Sequence, residues 1–322
     1  MKTTLIVSAA VASVLATSAL AQGLQPLERI GDVLPMQDTD GVFRICTGGT
    51  TGAYYERASL ASGLISSMGG VDAQPYAAGG TVDCLYKLAA GEVQAAIVQR
   101  DGLAWLYNTQ SPLLGQLGIG GNVLTEEILG FCNRSTVDES DLNDVLQSRD
   151  NNSIAIAGGP ASGTNLTVNV LANFDRQIGS RPQYTYTDGL EGALQQVQDG
   201  FARCAVAVMS SDTFALEALD DQYADKVRLV EFWDNGVRGL EFPGGEFDGG
   251  QVYGWRTIPE DHPMMDDFLD WRGNSGEGTW SPDTVAFSAT LVYRNDAAQG
   301  NVSTAIRQAV AAVAQVKDDL ED

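Results

Sequence analysis

Histidine and clustered cysteine are nearly absent from this sequence. His262 is the single histidine, and the cysteines, Cys46, Cys84, Cys132 and Cys204, form no Cys-x-x-Cys pair. Zinc sites need such clusters, and a nucleophile normally needs a nearby base. We therefore expect no metal, no cofactor and no enzyme activity, and we interpret His262, beside prolines in "PEDHPMM", as a solvent-exposed turn residue.

Positive charge is also scarce. The chain has 19 Lys+Arg against 42 Asp+Glu, a formal net charge of −23 at pH 7. Such a chain repels nucleic acid and anionic membrane surfaces, so neither is an expected partner. It gives an anionic ligand no long-range attraction, so an anion site would have to use local dipoles. High acidity is equally typical of a salty habitat.

A long apolar run occurs only near the N-terminus. Residues 1–21 contain Lys2, then the apolar run Leu5–Ala16, and end in Ala19-Leu20-Ala21. This pattern predicts a signal peptide cleaved after Ala21, and therefore an exported protein. A membrane anchor is the alternative, but the run is too short to span a bilayer. We expect no stable membrane insertion.

Glycine-rich turns connect segments that alternate between strand and helix patterns. "GVFRI" (41–45) predicts a strand and Tyr54–Met68 an amphipathic helix. Next come a predicted strand with a glycine turn (71–81), a helix (82–92) and a buried strand (93–102). This alternation predicts βαβ units and a parallel sheet.

A second copy of this plan is predicted from Leu124. The predicted segments are a helix at 141–145, a strand, turn and helix at 152–174, a strand at 182–188 with a helix after it, and a buried strand at 202–211. From Phe232 to Thr284 the pattern is lost in a loop-rich stretch. A strand and a terminal helix follow, with Ala305, Ala309, Val310 and Val313 on the apolar face of the helix.

The turn "CTGGTTGAYY" (46–55) has two interpretations. It stands between a predicted strand and the start of a helix, where free N–H groups and the helix dipole favour an anion. Glycine is also the ordinary residue of any tight strand-to-helix connection. The turn alone does not decide between them.

Several segments together resemble a known family. "CTGGTTGAYY", "AAGGTVDCLYKLAAGEVQAAIVQRDG" (77–102), "IAIAGGPASGTNLT" (154–167) and "VYRND" (292–296) are similar to the solute-binding subunits of tripartite ATP-independent periplasmic (TRAP) transporters, in the TAXI subgroup. The likeness covers most of 41–235 and 284–322. It is weak over 235–283.

The resemblance implies the type II periplasmic-binding-protein fold, which is α/β with two lobes joined by crossing strands and a ligand cleft between them. Lobe 1 would comprise 22–125 and 247–322, and lobe 2 would comprise 126–246. The family implies location in the periplasm and a small-molecule ligand handed to membrane permease subunits that use an ion gradient. We expect a monomer.

Ligands of open α/β sheets lie at the carboxyl ends of the strands. This rule and the resemblance together predict the ligand-binding residues Thr50, Thr51, Gly52, Ala53, Tyr54, Gly80, Thr81, Gln99 and Asp101 in lobe 1, and Ser162, Gly163, Thr164 and Ser210 in lobe 2. Their hydroxyls and amides suit a carboxylate, as in a glutamate-like amino acid or a dicarboxylate. Tyr54 would face the ligand or the core, and Asp101 would hold a ligand ammonium or cap a helix.

The even number of cysteines in an exported chain favours disulfides. Cys46 ends the first predicted strand and Cys84 lies in the next helix, whereas Cys132 and Cys204 lie in two predicted strands of lobe 2. We expect the pairs 46–84 and 132–204, each inside one lobe.

Two other classes of function remain open. One is a binding protein of an ABC importer or a periplasmic sensor module. The other is a secreted calcium-dependent enzyme, but Glu241, Glu246 and Asp248 are spaced too irregularly for a calcium loop.

Overall fold

The structure is a computed structural model that describes residues 23–50, 52–149, 152–213, 215–238, 240, 251–259, 262–263, 265–269 and 282–318. The predicted signal peptide, Thr51 and the acids Glu241, Glu246 and Asp248 lie outside these residues. Within them, no helix combines the length and the apolar character that a membrane crossing requires.

The described residues contain these strands and helices. The strands are β1 (Val42–Thr47), β2 (Asp72–Ala77), β3 (Ala95–Gln99), β4 (Leu117–Asn133), β5 (Ser153–Ala157), β6 (Gln183–Thr187), β7 (Cys204–Met209), β8 (Val227–Val230), β9 (Gly254–Thr257) and β10 (Asp283–Arg294). The helices are α1 (Ala53–Gly69), α2 (Thr81–Ala89), α3 (Arg100–Asn108), α4 (Leu142–Gln147), α5 (Gly163–Phe174), α6 (Arg176–Ser180), α7 (Gly189–Gln198), α8 (Ala215–Tyr223), α9 (Asn235–Arg238), α10 (Asp266–Leu269) and α11 (Asn301–Asp318).

The strands form one mixed sheet in the order β2-β1-β3-β10-β4-β7-β5-β6, with β8 beside β4 and β9 beside β10. In what we call the first half, β1 pairs in parallel with β2 and β3. In the second half, β5 pairs in parallel with β6 and β7. Each half is thus the parallel βαβ arrangement that the alternation of segments predicts.

Two long antiparallel strands, β4 and β10, join the halves. On the first-half side, Ala289 of β10 pairs with Gln99 at the end of β3. On the second-half side, Glu127 of β4 pairs with Met209 at the end of β7. Both strands therefore run past the carboxyl ends of the parallel strands in each half. This confirms the predicted fold class, two α/β lobes joined by crossing strands.

Helices cover both faces of the sheet. On one face of the first half, α1 and α11 pack over a core that includes Ile45, Ile65 and Ile306. On one face of the second half, α7, α8 and α10 pack over Phe131, Leu194 and Phe268. The third core runs through both halves beneath α2, α3 and α5. The halves therefore touch along this shared face.

Both predicted disulfides are confirmed. Cys46 at the end of β1 is bonded to Cys84 in α2, and Cys132 of β4 is bonded to its register partner Cys204 of β7. Each bridge lies within one half. The motion of one half against the other is not covalently restricted by either bridge.

The structure places three segments differently from the prediction. β3 ends at Gln99, and Arg100–Asn108 is a helix, because Trp105, Leu106 and their neighbours bury an apolar helical face. The strand predicted from Leu124 begins at Leu117, because its first part completes the first half of the sheet. His262 is 8% exposed and therefore buried, since its ring packs beside Asp212.

The segment before β10 belongs with the second half. Ile258, Met265 and Phe268 are buried in the core of the second half, and β9 pairs with the first residues of β10. Residue 247, the predicted return to lobe 1, lies outside the described residues. We therefore propose that the chain returns to lobe 1 within β10.

Residues 23–37 form no helix or strand and are hydrogen-bonded to both halves. The Gln25 amide donates to the Tyr186 hydroxyl of β6 at 2.7 Å. Further along, the Leu34 amide donates to the carbonyl of Ala89 in α2 at 2.7 Å. We call residues 23–37 the N-terminal strap, because it is bonded to both halves.

Candidate functional site

Helix starts and strand ends meet where the two halves face each other. α1, α2 and α3 begin just after β1, β2 and β3, and α5 begins after β5. The first amides of each helix have no partner within the helix, and the helix dipole makes this end positive. The edge is therefore suited to negative charge, from the protein or from a ligand.

Two glycines allow the halves to touch at these helix starts. Gly80, before α2, has φ +117°, and a Cβ there would lie 3.1 Å from Cα of Ser162, before α5. A Cβ on Gly163 would lie 2.4 Å from side-chain atoms of Gln99. A side chain at Gly80 would press on the backbone of the opposite half, whereas a side chain at Gly163 would either displace Gln99 or hold the halves apart.

Asp101 connects the halves through its carboxylate. Its Oδ2 accepts hydrogen bonds from the Thr167 hydroxyl of α5 at 2.6 Å and from the Tyr253 hydroxyl at 3.0 Å. All three side chains are buried, and Asp101 is 0% exposed. The backbone amides of Asp101 and Gly102 are near its carboxylate, but Oδ1 makes no hydrogen bond of ordinary geometry.

Glu126 is a second buried acid at this place, on the crossing strand β4. Its Oε2 accepts a hydrogen bond from the Tyr54 hydroxyl of α1 at 2.5 Å, and the Gln99 amide group also hydrogen-bonds to it. The Thr81 hydroxyl contacts the Tyr54 phenol and accepts a hydrogen bond from the Gln99 backbone amide. We call Tyr54, Thr81, Gln99, Asp101, Glu126, Thr167 and Tyr253 the cleft cluster.

Burial changes the protonation of these acids. It raises the pKa of Glu126 from its ordinary value of 4.5 to about 8, against the hydrogen bonds from Tyr54 and Gln99. It raises the pKa of Asp101 from 3.8 to about 6, although the hydroxyls of Thr167 and Tyr253 lower it. Burial also raises the pKa of both tyrosines well above 10, so they stay neutral.

The structure brings some predicted residues into the cleft cluster and gives others local roles. Tyr54, Thr81, Gln99 and Asp101 belong to the cluster, and Gly80 and Gly163 contact its edge. The Ser162 hydroxyl caps α5 by accepting from the Asn165 amide, and the Thr164 hydroxyl accepts from the Val208 amide. Ser210 is buried just after β7.

The turn at 46–55 uses one of its amides in a hydrogen bond within the turn. The Gly52 amide donates to the Gly49 carbonyl at 3.0 Å, so it is used within the turn. Thr50 and Gly52 are exposed and Ala53 is half-buried at the first residue of α1. Their roles toward a ligand stay predictions.

Sequence reasoning missed Glu126, Thr167 and Tyr253. A signal for Glu126 exists, since "LTEEILGFC" (124–132) places two acids inside an apolar strand pattern. Thr167 stands one turn beyond the predicted Gly163 and Thr164, on the buried face of α5. Tyr253 lies in the loop-rich stretch, where no periodicity indicates which residues turn inward.

An ion network borders the cleft cluster on the second half. The Arg256 guanidinium of β9 bonds to the Glu127 carboxylate, and its other nitrogen is 3.2 Å from the Asp212 carboxylate. Asp212 also contacts Nε2 of His262 at 3.1 Å, and Glu127 accepts from the Ser211 amide at 2.8 Å. Arg256 is therefore already neutralised by two acids.

Two other features do not qualify as the site. An open pocket of about 430 Å³ lies at the far end of α3 and is lined by uncharged residues that include Tyr107, Asn108 and Ser111. The carboxylates of Asp220, Asp266 and Asp267 lie within 4.8 Å of one another, but Asp220 accepts the Asp267 and Phe268 amides at the start of α10. These bonds explain the cluster without a metal.

No family model and no curated protein sequence matches the chain. Among solved structures, it is similar to the periplasmic VFT2 domain of BvgS from Bordetella pertussis, with 11% identity and a TM-score of 0.44 over 85% of this chain and 92% of that one. It is also similar to the substrate-binding protein of an amino acid ABC transporter, with 9% identity and a TM-score of 0.47 over 86% and 95% of the two chains.

A further similarity is to an ancestral amino acid-binding protein, AncCDT-1, described as a precursor of cyclohexadienyl dehydratase. The identity is 11% and the TM-score is 0.47, over 87% of this chain and 91% of that one. Likenesses of this strength do not establish a ligand or a family. The fold rests on the sheet topology, and the site rests on the cleft cluster.

Proposed function

We propose that the chain is an extracytoplasmic solute-binding protein. It would capture a small carboxylate-bearing ligand between its two lobes and deliver it to an ion-gradient-driven TRAP permease. The observation that carries this proposal is the Asp101–Thr167 hydrogen bond of 2.6 Å, which joins the halves at the ends of their parallel strands. Open α/β sheets bind ligands at this edge.

The helix starts support the carboxylate part of the ligand. α2 and α5 begin at Thr81 and Gly163, and the backbones before them touch at Gly80 and Ser162. A carboxylate between the lobes would receive amide hydrogen bonds from both helices. The roles predicted for Thr50, Thr51, Gly52 and Ala53 toward the same carboxylate are part of this proposal, although the Gly52 amide would first have to leave the Gly49 carbonyl to which it donates.

Entry of a ligand requires the halves to separate. Asp101, Thr167 and Tyr253 are all almost completely buried in the present arrangement. Opening would break the hydrogen bonds of Asp101, and a ligand that touches both halves would stabilise their closure. The crossing strands β4 and β10 are the connections about which such a motion would occur.

Mass spectrometry of the compound released from the purified, denatured protein tests this function. We expect a small molecule in near-stoichiometric amount. N-terminal sequencing of the exported protein tests the processing part, with Gln22 as the expected first residue. A chain that retains residues 1–21 would contradict cleavage after Ala21.

The transport class needs a separate test. A neighbouring gene for a fused two-component permease would support TRAP delivery. Genes for an ATPase and an ABC permease, or for a sensor kinase, would instead favour an importer of that class or a sensor module. Either outcome would leave solute binding intact.

A further inference from the structure

A second concave surface lies in the first half, away from the cleft cluster. The open pocket of about 430 Å³ is at the C-terminal end of α3, whereas Asp101 of the cleft cluster lies in the first turn of this helix. α3 has 9 residues and is therefore roughly 13 Å long. The volume is in the range of small-molecule sites in proteins. We call this surface the α3 pocket, and its lining shares no residue with the cleft cluster.

The α3 pocket combines an apolar floor with an aromatic wall. Leu106 is completely buried and Leu114 is half-buried, so both present C–H groups to an occupant. The Tyr107 side chain is 42% exposed. Its ring offers a flat apolar face, and its hydroxyl offers a polar edge. The pocket therefore suits a ligand that has C–H groups on one face.

Polar side chains line the same pocket and retain hydrogen-bonding capacity. Within the described part of the chain, the side chains of Tyr107, Asn108 and Gln110 make no hydrogen bond. Ser111 is buried, and its hydroxyl accepts from the Leu113 amide at 3.3 Å, which leaves its O–H group able to donate. Side-chain amides and hydroxyls can both donate and accept hydrogen bonds. Ligand hydroxyl groups have the same dual character and therefore match this lining.

The described residues that line the α3 pocket carry no charge, although Asp, Glu, Lys and Arg make up 19% of the chain. The C-terminal end of a helix is partly negative. Here Arg29 of the N-terminal strap compensates it, because its guanidinium donates to the carbonyls of Thr109 at 2.7 Å and Gln110 at 2.9 Å. A charged ligand would lose hydration without meeting an opposite charge. The pocket therefore favours a neutral occupant.

The backbone of Gln110 supports a role for its side chain. Its φ is +52°, in the left-handed region that often follows a helix end. Glycine is usual there, because a Cβ is unfavourable in this conformation. Glutamine therefore brings no advantage for the backbone, while its amide group lines the pocket. The residue is placed where its side chain can meet a ligand.

We propose that the α3 pocket is a second binding site, which takes a neutral saccharide. The Tyr107 ring would lie against the C–H face of a sugar ring, and Asn108, Gln110 and Ser111 would bond to the hydroxyl groups at its edge. A sugar ring is uncharged, has an apolar face and carries hydroxyls around its edge, which are the three properties that this lining favours. The site is separate from the carboxylate site proposed for the cleft.

Saturation-transfer NMR of the exported protein tests the site. The neutral probes are D-glucose, N-acetyl-D-glucosamine and the β-1,4-linked tetramer of N-acetyl-D-glucosamine. D-glucuronate and D-glucosamine are the charged counterparts of the two single sugars. We expect saturation transfer to at least one neutral probe and weaker transfer to its charged counterpart. No transfer to any neutral probe, or equal transfer to the charged sugars, would overturn the proposal.

The tetramer distinguishes two sources of the same chemistry. Tighter binding of the tetramer than of the single sugar would identify a polysaccharide as the source. Equal binding would identify a free sugar. Both results support a saccharide site.

Two variants locate the sugar. Gln110→Gly removes the side-chain amide and relieves the left-handed backbone, so it should weaken sugar binding about three- to tenfold while the melting temperature stays equal or rises. Tyr107→Ala removes the wall and should weaken binding at least as much. Phe174→Ala is the matched control, since Phe174 of the second half is an aromatic side chain of similar exposure, 45%. Its replacement should leave sugar binding unchanged.

The variants also separate this pocket from the cleft. Wild-type affinity for the sugar in both Gln110→Gly and Tyr107→Ala, with folding confirmed by circular dichroism, would overturn the proposal. The compound released from the native protein should not reduce saturation transfer to the sugar, because the α3 pocket and the cleft cluster share no residue. Displacement of the sugar by that compound would place both in the cleft and contradict a second site.

Discussion

The carboxylate of Asp101 in α3 accepts a 2.6 Å hydrogen bond from the hydroxyl of Thr167 in α5. These residues belong to opposite halves of the sheet, and both are completely buried. A single side-chain contact therefore reports whether the halves are together.

Thr167→Val should favour separation of the halves. It removes a hydrogen bond to a carboxylate, which contributes roughly 1.5–3 kcal/mol. The expected result is a larger radius of gyration of the ligand-free protein in solution scattering. Thr109→Val is the matched control, because the Thr109 hydroxyl bonds to the Trp105 carbonyl within the first half. Equal profiles for the two variants would show that the Asp101–Thr167 bond does not hold the halves together.

Gly163→Ala tests the close approach at the start of α5. The added methyl would lie 2.4 Å from Gln99 atoms, so the halves must move apart or Gln99 must shift. Alanine is itself favourable in a helix, so we expect normal folding with ligand affinity reduced by tenfold or more. Gly159→Ala is the control, since a Cβ there meets nothing within 4 Å. Unchanged affinity in Gly163→Ala would mean that the ligand does not require this contact.

The ligand-free protein should lose stability as pH rises from about 4.5 to about 8. Burial raises the pKa of Glu126 to about 8 in the fold, so the folded state binds this proton more tightly than the unfolded chain. The groups facing it are Tyr54, Gln99, Asp101 and Glu127, and the acids among them strengthen the effect. Asp101 adds a smaller loss between about 3.8 and about 6.

Melting curves of Glu126→Gln between pH 5 and pH 8 check the sign. The wild type should lose melting temperature with rising pH more steeply than the variant. Glu139→Gln is the control, because hydrogen bonds and Arg203 lower the pKa of Glu139 despite its partial burial. The stability that Glu139 contributes is fully present above the pKa it has in the unfolded chain. The difference in melting temperature between wild type and Glu139→Gln should therefore stay constant between pH 5 and pH 8. If the melting temperatures of wild type and Glu126→Gln changed equally with pH, the raised pKa of Glu126 would be contradicted.

Reduction of the disulfides should lower stability without abolishing closure. The bridges close loops with sequence separations of 38 and 72 residues. Loop entropy of that size corresponds to about 4 kcal/mol for each bridge. Removal of Cys46 and Cys84 together should lower the urea midpoint and leave ligand-induced compaction in place. Peptide mapping without reductant should recover the pairs 46–84 and 132–204, and a bridge joining the halves would contradict this topology.

The N-terminal strap should restrain opening. Tyr186→Phe removes the acceptor of the Gln25 amide and a bond to Asn165, which costs roughly 0.5–1.5 kcal/mol per bond. Hydrogen exchange of the strap near Gln25 should accelerate. Tyr86→Phe is the control, since the Tyr86 hydroxyl of α2 donates to the Glu28 carbonyl and so holds the N-terminal strap to the first half. If exchange near Gln25 is equal in wild type and Tyr186→Phe, the strap is not held to the second half by this bond.

The fold could be predicted because the apolar patterns and glycine turns that specify it are local features of the sequence. The alternating apolar patterns from Val42 to Met209 specify strand and helix order, and glycine turns mark the connections. The pairing of the cysteines followed from their positions on predicted elements. Local patterns did not predict that β4 passes from one half to the other. A strand that pairs in both halves has the same alternation of side chains as a strand that pairs in one.

The site could be predicted only where it follows a strand end. Gln99 ends β3 and Gly163 begins α5 after the turn that follows β5, and the structure places them in contact. Glu126 lies in the middle of a strand, and Tyr253 comes from a stretch without periodicity. Their approach to Asp101 depends on how distant segments pack, which local patterns do not encode.

The most direct test of the central claim is solution scattering of the wild-type protein with and without its own ligand. The ligand is identified by mass spectrometry and removed by denaturation and refolding with the disulfides intact. We expect that adding it back at saturation reduces the radius of gyration, because a ligand between the halves would stabilise their closure at Asp101 and Thr167. Binding confirmed by calorimetry with an unchanged radius of gyration would contradict closure of two lobes around the ligand.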